Sequence, residues 1–211
     1  MPSPFRLAVL ISGSGGNLQA IIDQLHVPAS ESTEIVLVVS STPTAAGLSR
    51  ATDAGIDTTV VRQADHPDRS TRDAALADVV GAANPDLVVL AGFMSILTRT
   101  FLDQFPDRVI NLHPSLLPSF PGVDAIGQAL EWGVRLTGVT VHFAEEEVDA
   151  GPPVIQTAVP VEYGDTAESL GARIHEVEHQ LLPAAIRLFA EGRVNRDPVS
   201  RRLVTITKED L

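Results

Sequence analysis

The sequence predicts an α/β fold: a doubly wound, mostly parallel sheet with helices on both faces and antiparallel strands added in the C-terminal half. Three observations carry this. The apolar runs Leu7-Ala8-Val9-Leu10-Ile11 and Leu87-Val88-Val89-Leu90-Ala91 are unbroken, as in strands buried on both faces of a parallel sheet. They alternate with stretches of helical periodicity, the arrangement of βαβ units. From about 137 to 161 apolar and polar side chains alternate instead, as in strands open on one face.

The elements follow in order. A strand over 7–11 ends in Ser12-Gly13-Ser14-Gly15-Gly16, after which Leu18, Ile21, Ile22 and Leu25 place a helix over 17–25. A strand at 35–39, a helix at 44–54 stopped by Gly55, a strand at 58–61 and a helix at 67–83 continue the alternation. The strand 86–91, a short helical stretch 98–104 and a strand 108–113 come next. Beyond His113, Pro114, Pro118 and Pro121 with Gly122 stiffen a loop, and a helix over 123–133 follows. Strands at 137–143 and 154–161 lead to one closing helix over 167–190, with Pro183 at a kink and Gly192 at its stop. The tail 193–211, with Arg193, Arg196, Arg201, Arg202 and Lys208, reads as a solvated hairpin offsetting an acidic body. A basic patch is the alternative.

At about 150 residues per domain, the 211 residues make one generous domain that buries roughly 70% of its unfolded surface. Lys and Arg number 15 against 27 Asp and Glu, a formal charge of −12. Such a surface repels phosphate backbones and anionic headgroups, which argues against nucleic acid and membrane partners. A phosphate-bearing ligand then needs a local device. Cysteine is absent, so thiolate nucleophiles, disulfides and cysteine metal sites are removed. The N-terminal apolar run is too short for a signal-peptide core, and none reaches the roughly 18 residues of a membrane helix. A soluble, cytoplasmic protein is expected.

Three places suit chemistry. In the turn Ser12-Gly13-Ser14-Gly15-Gly16-Asn17, backbone amides and the positive end of a helix dipole converge and hold a phosphate without Lys or Arg; a structural tight turn is the alternative. Leu18 at the third glycine position, and Ser40 and Ser41 where a ribose-binding acid belongs, argue against a dinucleotide site. Asn111 and His113, at i and i+2 of a strand end, share a face at the carboxyl edge where such sheets bind ligands. An amide that donates to an oxyanion, beside an imidazole that polarises it or moves a proton, suits attack on a carbonyl; backbone satisfaction is the alternative. The third place is Glu145-Glu146-Glu147-Val148-Asp149-Ala150-Gly151-Pro152. It reads ordinarily as a solvated acidic loop, but its Ala-Gly-Pro turn could fold Asp149 inward, where it would stabilise a His113 imidazolium. His175 and His179 have metal-ligand spacing without a third ligand, so no metal is expected. His142 reads as core or supporting, and His26 and His66 as surface residues.

Taken together, Leu10-Ile11-Ser12-Gly13-Ser14-Gly15-Gly16-Asn17-Leu18-Gln19-Ala20-Ile21, Leu90-Ala91-Gly92-Phe93-Met94, Asn111-Leu112-His113-Pro114-Ser115-Leu116-Leu117-Pro118, Gly138-Val139-Thr140-Val141-His142-Phe143 and Asp149-Ala150-Gly151-Pro152 resemble the phosphoribosylglycinamide formyltransferases of purine biosynthesis. The order and spacing match over about 7–191. The resemblance implies formyl transfer from 10-formyltetrahydrofolate, a co-substrate, to the amine of glycinamide ribonucleotide, without metal. Carried over by position, Asn111, His113 and Asp149 are the catalytic trio, the backbone of Gly15, Gly16 and Asn17 holds the ribonucleotide phosphate, and Pro114 and Glu178 contact the ribonucleotide. Arg69, Met94, Ser95, Ile96, Leu97 and Asn111, with the loop of Glu145, Glu146, Glu147, Val148 and Asp149, line the folate pocket. Ser95 stands where many members have Arg, and 123–126 lacks the His often found there.

By the same resemblance one formyltransferase domain, 1–211, comprises a phosphate-binding Rossmann-like half (1–104), a catalytic and folate-binding half (105–192) and a tail (193–211). A homodimer stays open. The related hydrolase that releases formate carries an extra N-terminal regulatory domain, and methionyl-tRNA formyltransferase a further C-terminal domain and a basic surface. The first strand within ten residues, the length and the charge of −12 argue against both. A nucleotide or folate binding module without catalysis is the alternative from another class.

Overall fold

The computed structural model describes residues 3–26 and 32–207; Lys208 of the tail lies outside them. Two compact units are present, Met1–Asn111 and Leu112–Leu211.

The first contains β1 (Phe5–Ile11), α1 (Gly16–Ile21) continued by a π-helical turn, β2 (Thr33–Ser40), α2 (Gly47–Asp53), β3 (Thr58–Val60), α3 (Arg69–Ala82), β4 (Leu87–Leu90), α4 (Arg99–Leu102) and most of β5 (Val109–His113). All pairings here are parallel: β1 with β2 and β4, β2 with β3, and β4 with β5. The strand order runs β3-β2-β1-β4-β5, so the winding reverses between β1 and β4, where doubly wound sheets bind ligands beyond their strand ends. Leu7 to Ile11 are all fully buried. Because successive side chains face opposite sides, both faces of β1 are covered, which is why its apolar run is unbroken. Asp68 caps α3 by accepting the Thr71 N–H at 2.7 Å. The helix expected from 44 begins at Gly47. Thr42 and Thr44 hydroxyls bond each other at 3.0 Å and Ser40 Oγ donates to the Thr42 carbonyl at 2.6 Å, local bonding that competes with a helical turn. His26 is not simply a surface residue: its Nδ1 accepts the Ile35 N–H at 3.1 Å.

The second unit holds α5 (Ala125–Glu131), β6 (Leu136–Phe143), β7 (Pro153–Pro160), α6 (Ala167–Ala190), β8 (Val194–Arg196) and β9 (Val204–Ile206). The seven-stranded sheet ends in β5-β6-β7, with β6 and β7 antiparallel, and β8–β9 form a separate antiparallel hairpin. β7 alternates as expected. β6 does not have the open face its pattern suggests, since every residue after Leu136 is buried. Two of its polar positions, Thr140 and His142, are tolerated because they are bonded. Thr140 Oγ1 donates to the Ser115 carbonyl at 2.6 Å and accepts from Leu117 N–H at 3.1 Å and Gln156 Nε2 at 2.9 Å. α6 opens with a Thr166/Ser169 capping box and passes through Pro183, its Leu170, Ile174, Leu182 and Ile186 buried in a line at fourfold spacing. Among the described residues, no helix is long and apolar enough to cross a membrane.

Candidate active site

His113 ends β5 two residues after Asn111, on the same strand face. Its side chain is 5% exposed, with Nδ1 3.2 Å from Asp149 Oδ2 and Nε2 2.8 Å from the Phe120 carbonyl. A carbonyl and a carboxylate only accept, so a protonated imidazole satisfies both. Asp149 turns inward from a left-handed backbone, φ +55°. Gly151 is what lets that loop close, since a Cβ there would lie 1.8 Å from the Phe143 carbonyl oxygen. Asp149 Oδ2 also accepts the Gly122 N–H at 2.7 Å, and Oδ1 lies 3.6 Å from Nε2 of buried His142. Burial, the largest influence, pushes the Asp149 carboxyl up. The interaction with His142, the Gly122 N–H and the charges of His113 and His142 outweigh it and hold the carboxyl below its ordinary value. A buried, ionised carboxylate thus faces two imidazoles, an arrangement fit to keep one charged or to carry a proton.

In the first unit the glycine turn is built by close backbone approach. Gly15 caps α1 at φ +74°, and a Cβ on it would lie 2.6 Å from Gly47 Cα. Gly47 N–H donates to the Gly13 carbonyl at 3.1 Å, so the starts of α1 and α2 meet. Such a turn needs no Lys or Arg to hold an anion, yet Arg50 of α2 reaches it. Arg50 Nε donates to the Ser14 carbonyl at 2.8 Å and Nη1 to Gln19 Oε1 at 3.1 Å. Ser12 Oγ lies 2.6 Å from Ser41 Oγ and accepts the Met94 N–H at 2.8 Å, tying the loops after β1, β2 and β4. Farther along, Asp73 Oδ2 accepts from Thr98 N–H and hydroxyl at 2.6 and 2.7 Å, and Arg72 Nη2 donates to the Ile96 carbonyl at 2.8 Å.

The family model described as formyl transferase matches residues 5–186. The chain belongs to the formyl transferase family. The phosphoribosylglycinamide formyltransferase of Escherichia coli (strain K12) is 42% identical over 188 residues, 89% of this chain and 88% of that protein. The trifunctional purine biosynthetic protein adenosine-3 of Bos taurus is 46% identical over 193 residues, 92% of this chain. The chain spans 19% of the length of that trifunctional relative. The crystal structure of glycinamide ribonucleotide transformylase 1 from Symbiobacterium toebii matches with a TM-score of 0.93 and 47% identity, covering 99% of this chain and 96% of that one.

Within this chain the expected site residues lie as follows. His113 and Asp149 are in contact, Asn111 precedes them on β5, and half-buried Pro114 follows. Glu178 is buried on α6, its Oε2 2.9 Å from His175 Nδ1, so that ring nitrogen is engaged. Arg69 is exposed at the start of α3; Met94 and Ile96 are exposed, Ser95 is half-buried, and Leu97 turns into the core. Glu145, Glu146, Glu147 and Val148 are exposed, with Glu145 bonded to Arg196. Residue patterns did not single out Arg50, Phe120 or Gly122. Arg50 lies 36 positions from Ser14, and the other two act through backbone groups that carry no side-chain signal.

Proposed function

We propose that the chain transfers the formyl group of 10-formyltetrahydrofolate to the amine of glycinamide ribonucleotide in purine biosynthesis. Family membership and the names of the relatives support the substrate pair. The observation that carries the chemistry is the buried His113–Asp149 contact, with Nδ1 3.2 Å from Oδ2, on a strand that presents Asn111 two residues earlier.

In this reading the amides of Gly15, Gly16 and Asn17 hold the ribonucleotide phosphate, and Pro114 and Glu178 contact the ribonucleotide. Arg69, the 94–97 stretch, Asn111 and the 145–149 loop receive the folate. The substrate amine attacks the formyl carbon, forming the C–N bond. The Asn111 amide and the His113 imidazolium stabilise the tetrahedral oxyanion. The Phe120 carbonyl already engages Nε2, so an oxyanion approaching that nitrogen competes for its N–H. Asp149 keeps His113 charged and, through water, carries the proton from the attacking amine to the departing folate nitrogen as the second C–N bond breaks. No metal takes part.

The test is direct. Purified chain, glycinamide ribonucleotide and 10-formyltetrahydrofolate are incubated, and formylated product is followed by mass spectrometry. Stoichiometric, catalytic formylation is expected; hydrolysis to formate, or no turnover, refutes the reading.

A further inference from the structure

The C-terminal hairpin does more than offset charge. Arg196 on β8 donates to the Glu145 carboxylate, its Nε donates to the Arg201 carbonyl at 2.6 Å, and its guanidinium carbon lies 5.2 Å from the centre of the Phe143 ring. The side chain is 7% exposed. A planar fork with five donors serves a carboxylate, a carbonyl and an aromatic face at once, which an ammonium does not. At the other end of the same loop, Arg202 Nη1 donates to the Ala150 carbonyl at 3.1 Å, one residue after Asp149.

The 144–151 loop needs such support. Three consecutive carboxylates, Glu145, Glu146 and Glu147, repel one another. Its backbone is closed by the Phe143 N–H to Pro152 carbonyl bond at 3.1 Å and the Ala150 N–H to Glu147 carbonyl bond at 3.3 Å. With Glu145 to Val148 exposed, a loop whose backbone is closed only at its base opens easily.

We infer that the β8–β9 hairpin is a clamp on this loop, with Arg196 and Arg202 positioning residues that hold Asp149 in the geometry formyl transfer requires. The inference rests on the role proposed for Asp149. Arg196 grips the loop where it leaves β6, and Arg202 grips it beside the carboxylate.

Full-length wild type, Arg196→Met, Arg196→Lys and Arg202→Ala are compared by amide hydrogen exchange and steady-state kinetics. Exchange over 144–151 is expected to rise about tenfold in Arg196→Met and Arg202→Ala, with β1 and β4 amides unchanged. kcat should fall by a similar factor at unchanged KM for glycinamide ribonucleotide, and Arg196→Lys should lie between. Unchanged loop exchange overturns the clamp. Faster exchange with wild-type kcat overturns its role in positioning Asp149. Should wild type transfer no formyl group, the proposed function fails on its own, and exchange alone decides whether the hairpin holds the loop.

Discussion

Replacing Asp73 by Ala removes an acceptor that serves two donors and the counter-charge of a buried arginine. Thr98 gives its N–H at 2.6 Å and its hydroxyl at 2.7 Å to Oδ2, and Arg72 Nε lies 2.6 Å from Oδ1. Arg72 is 1% exposed and Asp73 fully buried, so water does not take over. Burial, the largest influence, lowers the Arg72 pKa, and Asp73 is the counterweight that favours its charge. Orphaning one member of a buried pair costs about 3–5 kcal/mol, and the two lost Thr98 bonds add about 1 kcal/mol or more. At roughly 2–4 °C per kcal/mol for a chain of this size, Asp73→Ala should lower Tm by about 10 °C or more. Arg72→Leu orphans the buried Asp73 carboxylate in turn and should cost about 3–5 kcal/mol, less than Asp73→Ala by the Thr98 bonds that Asp73 then keeps. The double variant should be more stable than the sum of the single costs predicts, since no buried charge is orphaned. Urea unfolding followed by circular dichroism measures all three, provided the slope is constant. Asp73→Ala within about 1 kcal/mol of wild type, or strict additivity in the double variant, would refute the argument.

Asn111→Ala and His113→Ala should each lose roughly a hundredfold or more in kcat, and turnover within threefold of wild type in both would end the oxyanion assignment. Gly15→Ala places a Cβ 2.6 Å from Gly47 Cα at φ +74°; KM for glycinamide ribonucleotide should rise about tenfold while that for the folate stays near wild type, and equal changes in both would count against the phosphate seat. Asp149 has its pKa lowered in the folded chain, so its contribution to stability is present above the unfolded carboxylate value of about 3.9 and is lost as pH falls through the folded value. Chemical denaturation of wild type and Asp149→Asn between pH 3 and 7 should therefore converge toward the acid end, and a constant gap would contradict the ionised buried carboxylate.

Much of the fold was legible because burial leaves a linear trace. The 7–11 stretch of β1 and all of β4 needed both faces covered and so use nothing but apolar residues. α6 announces both ends, with Thr166 and Ser169 opening it and Gly192, at φ +67°, following its last turn. The inward turn of Asp149 was readable from Ala-Gly-Pro, since Gly151 alone admits the Phe143 carbonyl. β6 misled because alternation reports polarity, not exposure: Thr137, Thr140 and His142 are buried, and Thr140 and His142 have partners that burial requires. α2 started late because hydroxyl bonding around Thr42 and Thr44 outcompetes a first helical turn. Arg50 and Arg196 were illegible for another reason, namely that the carbonyl and carboxylate they reach are distant in the chain, 36 and 51 positions away.

The Ser12 hydroxyl joins three crossovers, since its oxygen accepts from the Met94 amide and lies against Ser41. Damping the glycine turn therefore damps the Met94 stretch through one shared atom. Two ligands seated separately on those two segments would reinforce each other's affinity through lost motion, without touching. Ser12→Ala would uncouple them while leaving each seat's own backbone groups in place.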